Sequence, residues 1–177
     1  GDHIAGIHFN YNGTKMFVSY RQDFDDNFPH VSQYSLSEPY NISTRTYDGD
    51  AERCNLTDVP ERVTDLEFSH DGYKMFVSFG SHTVTTAEGD IVYGYELSSP
   101  YDISTCSYSD NKTTNLDGKL NGSLAGDDIA PAKQVRLQGL EFNNNGTKMF
   151  LLFLGDGNDI SGDTRKERLL EYNLSTP

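Results

Sequence analysis

Apolar and polar residues alternate in short segments that return three times along the chain. Each segment places an apolar residue, one polar residue and a Phe in succession, at residues 7–9 (IHF), 66–68 (LEF) and 140–142 (LEF). A two-residue period of this kind is typical of a β-strand with one buried face. A turn follows each segment, and a KMF sequence then begins a second apolar segment. The pattern therefore predicts paired antiparallel strands.

A five-residue motif marks each copy of this unit: GTKMF at 13–17, GYKMF at 72–76 and GTKMF at 146–150. The glycine of each motif follows an Asn or Asp, which is a strong hairpin signal because both residues tolerate positive φ. A later block, VSQYSLSEP, VYGYELSSP or LLEYNLSTP, predicts a third strand. YNISTRTY and YDISTCSY predict a fourth strand in the first two copies.

These units predict an all-β fold, a β-propeller-like array of three four-stranded antiparallel blades. The blades correspond to residues 1–58, 59–134 with a long insertion, and 135–177, where the chain ends before a fourth strand. Stacking the units buries their Phe and Tyr side chains between neighbours.

Three blades do not close a ring, since closed propellers have about four to eight. Three arrangements are compatible with this number. In the first, the chain is part of a longer propeller; in the second, several chains close a ring together. In the third, an open array receives its missing strand from the next subunit. In each case we expect self-association with further blades or subunits.

The motif F-x-x-[DN]-G-T-K-M-F-V, followed by Y-x-L-S-x-P-[YW]-[DN]-I-S-T, resembles the DGTKMY-type propeller repeats of large bacterial, phage and algal surface proteins. It is more distantly similar to YVTN-type propeller blades. The resemblance covers nearly the whole chain apart from the inserted loops. It implies the propeller fold but no particular function, because propeller blades carry many unrelated activities.

Charge excludes several classes of partner. The 177 residues include 14 Lys and Arg against 27 Asp and Glu, a formal net charge of −13. Such a surface repels the phosphates of nucleic acids and the headgroups of anionic lipids. No apolar run approaches the roughly 20 residues that a membrane-spanning helix needs. We therefore expect neither a nucleic-acid partner nor a membrane span.

The two cysteines, Cys54 and Cys106, have neither metal-site spacing nor a CxxC arrangement. Two interpretations remain open: two unrelated buried thiols, or one disulfide between neighbouring blades.

The connections after the second and fourth strands vary in length between copies, and in a meander both emerge on one face. The distance from the Phe of KMF to the Tyr of the third strand is 17, 19 and 22 residues in the three copies. Variable loops on a rigid scaffold are common binding surfaces. The aromatic residues expected to line such a binding face are Tyr20, Phe24, Phe28 and Phe153.

The third variable loop, GDGNDISGDTRKE, is rich in oxygen ligands. Its candidates for Ca²⁺, the one cofactor we consider, are Asp156, Asn158, Asp159 and Asp163. The spacing is not that of an EF-hand, and a solvated acidic loop is the alternative interpretation.

The N-x-[ST] sequon occurs seven times, which makes the asparagines candidates for glycosylation. Four lie inside the repeated motifs: Asn12, Asn41, Asn145 and Asn173. Three lie in insertions and are the better candidates: Asn55, Asn111 and Asn121. Glycans would suit an extracellular or cell-surface protein.

Catalytic motifs are absent from the sequence. The five histidines are scattered, and His8 and His70, at or beside the first hairpin, are assigned to the surface. No GxSxG, HExxH or phosphate-binding glycine loop occurs. We therefore expect a non-enzymatic extracellular repeat protein with a structural or adhesive role, assembled into a filament or surface layer. The alternatives are a propeller that binds carbohydrate or protein through its variable loops, and a propeller hydrolase or lactonase.

Overall fold

The computed structural model describes residues 3–21, 28–59, 62–80, 91–110, 114–115, 135–155 and 168–174. They form three antiparallel sheets, each of which is one blade. The first sheet contains β1 (His3–Phe9), β2 (Lys15–Arg21), β3 (His30–Leu36), β4 (Arg45–Tyr47) and β5 (Arg53–Asn55). The second contains β6 (Val63–Phe68), β7 (Lys74–Phe79), β8 (Ile91–Glu96), β9 (Ser107–Tyr108) and β10 (Thr114–Asn115). The third contains β11 (Val135–Phe142), β12 (Lys148–Gly155) and β13 (Arg168–Asn173).

The predicted fold class is confirmed: an all-β, propeller-like array in which the third blade has only three described strands. In every blade the first three strands follow one another as a meander, paired in register through the KMF segment. Among the described residues, no helix is long and apolar enough to cross a membrane.

The fourth strand differs from its prediction, because it is split into two short strands. β4 and β5 both pair with β3, and β9 and β10 both pair with β8. The YNIST and YDIST segments form a turn and a 3-10 helix instead of strand, since Tyr40 and Tyr101 adopt positive φ of 59° and 54°. Pairing therefore begins only at Arg45 and Ser107.

The hairpin between the first and second strands also differs in detail from its prediction. Only its glycine adopts positive φ, for example +69° at Gly13. The preceding Asn12 acts through its side chain, whose Oδ1 accepts hydrogen bonds from Thr14 N and Thr14 Oγ1. Side-chain capping and one left-handed glycine together close the turn.

Most of the core lies between the blades, and a smaller buried cluster of Met16, Val18 and Leu36 lies within blade 1. We call the side of each sheet that carries the Met of KMF its front face, and the side that carries the Phe its rear face. The rear face of blade 1, with Phe17 and Val31, packs on the front face of blade 2, with Leu66 and Met75. The rear face of blade 2 packs in the same way on the front face of blade 3. One rule of packing therefore builds both junctions.

The structure joins Cys54 of β5 to Cys106, next to β9, in a disulfide that links blades 1 and 2. Of the two interpretations of the cysteines, the structure confirms the disulfide between neighbouring blades. The cysteines are 52 residues apart, and closing a loop of that length stabilises the fold by about 4 kcal/mol in the chain-entropy description.

Candidate active site

The first strands of the three blades, β1, β6 and β11, contact one another where the blades converge. Each strand places a titratable residue at the same register, opposite the Phe of its KMF segment. These residues are His8 opposite Phe17, Glu67 opposite Phe76 and Glu141 opposite Phe150. The repeat therefore brings one imidazole and two carboxylates together along three adjacent strands.

His8 and Glu67 form a hydrogen-bonded pair across the first blade junction. His8 Nδ1 lies 3.1 Å from Glu67 Oε2, and both side chains are largely buried. The imidazole ring also packs on Phe68, with ring centroids 5.1 Å apart. A carboxylate that accepts from Nδ1–H leaves the Nε2 lone pair as the base, the arrangement that orients histidine in many hydrolases.

Glu141 is the third member of this row and lies on the rear face of blade 3. Partial burial raises the pKa of its carboxyl, and the nearby negative charge of Glu67 raises it further, while His8 acts in the opposite direction. A carboxyl group with a raised pKa beside a hydrogen-bonded His–Glu pair is a candidate acid–base group.

Next to this row, Asp65 links blade 2 to blade 3 through a hydrogen bond. Its Oδ2 accepts a hydrogen bond of 2.9 Å from Leu140 N in blade 3, and its Oδ1 accepts one of 2.9 Å from Leu66 N. Burial raises the pKa of Asp65, although the two backbone donors oppose that shift. Across the junction with blade 1, Asp65 lies against Gly6. A Cβ on Gly6 would lie 2.7 Å from Asp65 Oδ1. The inner strands can approach this closely only because that position is glycine.

A cavity of about 200 Å³ opens over the row. His8, Glu67 and Glu141 line it, together with two further groups of side chains. Aromatic rings form one part of the lining: Phe9, Tyr11, Phe68, Tyr101 and Phe142. Polar residues of the hairpins form the other part: Ser69, His70, Asn143 and Asn144. The cavity has room for a small molecule and presents both polar and aromatic side chains to it.

Within the described ranges, no group of three or more His, Cys, Asp and Glu side chains is arranged to hold a metal ion. The candidate Ca²⁺ ligands Asp156, Asn158, Asp159 and Asp163 lie outside the described residues. Calcium binding stays a prediction.

The assignment of His8 to the surface is wrong, since it lies in an inner strand and pairs with Glu67. Sequence reasoning missed this row because it treated each histidine separately. The signal was present at one position: the residue before the repeated Phe is titratable in all three copies, as His8, Glu67 and Glu141.

The aromatic residues predicted to line a binding face are not brought together. Phe153 is buried in the core between blades 2 and 3, because the front face of its strand packs on blade 2. Tyr20 stacks on His30 and its hydroxyl bonds that of Tyr34. Phe28 is exposed, and Phe24 lies outside the described residues.

Five of the seven sequon asparagines lie within the described residues. Asn55 is exposed on β5, and Asn173 is exposed on β13. Asn12 and Asn145 cap the first and third hairpins, and Asn41 caps a 3-10 helix. Asn111 and Asn121 lie outside the described residues. Glycosylation remains a prediction for all seven.

The chain matches no protein-family model. It matches no curated protein either. Solved structures do share its fold. A periplasmic gluconolactonase of Pseudomonas aeruginosa superposes with a TM-score of 0.53 at 17% identity, over 94% of this chain and 41% of that protein. A protein from Lactobacillus plantarum superposes with a TM-score of 0.53 at 9% identity, over 96% of this chain and 41% of its own length. The chain thus spans about two fifths of each of these proteins.

These similarities correct two expectations. A non-enzymatic protein with a structural or adhesive role is contradicted, because the similar structures include a lactone-hydrolysing enzyme. Binding of carbohydrate or protein through the variable loops stays a prediction. At these identities the likeness establishes the propeller fold.

Proposed function

We propose that the three blades form part of a propeller hydrolase that opens the ring of a hydroxylated lactone, with His8 as general base. The observation that carries the proposal is the bond between His8 Nδ1 and the buried Glu67 carboxylate at the edge of the cavity. The similarity in fold to a periplasmic gluconolactonase supports the choice of reaction.

The proposed step uses water and this pair of residues. As the water oxygen bonds to the lactone carbonyl carbon, His8 Nε2 takes a proton from the water. Glu67 accepts from Nδ1–H and stabilises the imidazolium that forms. The tetrahedral intermediate then breaks its ring C–O bond, and the proton passes from Nε2 to the departing ring oxygen. The product is a hydroxy acid, and His8 returns to its neutral form.

The polar lining supports a substrate that carries several hydroxyl groups. Glu141, whose pKa is raised by burial and by Glu67, favours the protonated form more than an ordinary glutamate does. A protonated carboxyl donates a hydrogen bond to a substrate oxygen. Ser69, Asn143 and Asn144 offer further polar contacts.

The proposed location is outside the cytoplasm, in a secreted or periplasmic protein. The disulfide between Cys54 and Cys106 supports it, because such bonds persist in oxidising compartments. The periplasmic origin of the similar gluconolactonase agrees with it.

The test is the rate of acid release from glucono-1,5-lactone by the intact chain, measured by pH-stat and corrected for spontaneous hydrolysis. We expect saturable hydrolysis, and faster turnover than with γ-butyrolactone, which lacks hydroxyl groups. Glu67→Gln should lower kcat by roughly 10-fold or more with little change in KM, because glutamine cannot stabilise the imidazolium.

Glu96→Gln is the matched control, since Glu96 lies exposed on β8, away from the cavity lining. It should leave both constants unchanged. A wild-type rate equal to that of buffer would overturn the proposal, and so would equal losses in the two glutamine variants.

A further inference from the structure

The front face of blade 1 exposes apolar residues that the repeat buries in the other two blades. Ile7 is 54% exposed, whereas Leu66 and Leu140, which occupy the same register, are 1% and 3% exposed. Ile4 is likewise exposed, and its counterparts Val63 and Leu137 are buried. In blades 2 and 3 the preceding blade covers these positions.

The rear face of blade 3 likewise exposes apolar residues whose counterparts in the other two blades are buried. Leu169 is 70% exposed, whereas Val31 and Val92 at the same register are 0% and 2% exposed. Leu152, which pairs with Leu169, is also exposed. Blade 1 thus presents a front face on which Ile4 and Ile7 are exposed beside the buried Met16 and Val18, and blade 3 presents a rear face on which Leu152 and Leu169 are exposed.

The two faces are complementary, because front-on-rear packing already forms both internal junctions. We propose that a second copy of this chain covers both faces, head to tail, so that two copies close a ring of six blades. Six lies within the range of about four to eight blades in closed propellers. This inference does not rest on the proposed hydrolase activity.

The register of the inner strands favours the same partner. Within one copy, His8 of blade 1 reaches forward to Glu67 of blade 2, and Glu67 acts on Glu141 of blade 3. Glu141 is exposed on the side where the next blade would stand. In the six-blade ring that blade brings the second copy's His8 to Glu141, so the contact that His8 makes with Glu67 within one copy is repeated between copies.

Sedimentation velocity on the intact chain, from about 1 to 100 µM, tests the proposal. We expect a species of twice the 19.8 kDa chain mass at the upper concentrations. Each copy carries a net charge of −13, so added salt should screen their repulsion and strengthen the dimer. A chain that stays monomeric throughout this range, at low and at high salt, overturns the inference.

A matched pair of isoleucines identifies the surface. Ile7→Asp should weaken dimerisation by about 100-fold, because a carboxylate would be buried at the junction without a partner. Ile42 is 53% exposed in a 3-10 helix outside both faces, so Ile42→Asp should leave dimerisation unchanged. Circular dichroism checks that both variants are folded. Equal weakening by the two substitutions overturns the assignment of the surface.

Mixing two variants tests the head-to-tail geometry. Leu169→Asp alters the rear face and Ile7→Asp the front face, so each variant alone should be monomeric. Their mixture should associate, since the unaltered front of one fits the unaltered rear of the other at one of the two junctions. If Leu169→Asp dimerises like the wild type, the copies pair front to front and the proposal is wrong.

Discussion

Asp65 shows how one residue joins two blades. Its carboxylate is partly buried and accepts backbone hydrogen bonds from Leu66 and Leu140. Burial dominates the balance, so the pKa of Asp65 is raised above its ordinary value of 3.8. The folded chain therefore holds this proton more tightly than the unfolded chain does.

The pH dependence of stability follows from that shift. The stability gained from the tightly held proton is fully present below pH 3.8, and it is lost as pH rises through the raised pKa of the folded state. We expect the free energy of unfolding of the wild type, minus that of Asp65→Asn, to fall as pH rises from 3 to 7. Urea unfolding at several pH values measures this difference.

Asp71 supplies a control of opposite sign. Its pKa is lowered, chiefly by the hydrogen bond from Ser69 Oγ, so its contribution is present above pH 3.8 and is lost as pH falls. The difference between the wild type and Asp71→Asn should therefore rise with pH. Parallel curves for the two substitutions would contradict the description of Asp65.

At the scale of the element, a tyrosine locks each of the first two hairpins. Tyr101 N donates to Gly72 O at 2.9 Å, and the Tyr101 hydroxyl donates to His70 O at 3.1 Å. Tyr40 makes the corresponding bonds to Gly13 and Tyr11 in the first blade. The tyrosine after the third strand therefore holds the turn between the first two strands.

Gly72→Ala should destabilise the protein for two separable reasons. Its φ of +74° costs an L-residue about 1–2 kcal/mol. The new Cβ would also lie 2.3 Å from the Tyr101 ring, and moving the ring adds about 1–3 kcal/mol. Denaturant unfolding of Gly72→Ala in the wild type and in a Tyr101→Ala background separates them. Equal costs in the two backgrounds would show that the ring contributes nothing.

Sequence was a good guide to elements that local chemistry determines. The glycine turn and the alternating apolar residues predicted the first three strands of each blade, and the structure has them. The split fourth strand was missed because its cause is a tertiary contact: Tyr40 and Tyr101 take a left-handed conformation rarely adopted by tyrosine and lie against another turn. The local sequence does not predict that conformation.

At the scale of the whole molecule, the candidate site exists only because the blades stack. The residues before the repeated Phe are about 60 to 75 positions apart in the chain, yet His8 and Glu67 meet at one junction. The sequence contained the repeat that places them but not the distance between blades, which depends on packing and on Gly6. The site was therefore the least predictable part of the molecule.

The most direct measurement compares two histidines of the same strand. His8 lines the cavity, and His3 lies at the opposite end of β1. We expect His8→Ala to lower kcat/KM for glucono-1,5-lactone by roughly 10²–10⁴-fold and His3→Ala to leave it unchanged. If His8→Ala hydrolyses the lactone as fast as His3→Ala does, the hydrolase assignment is wrong.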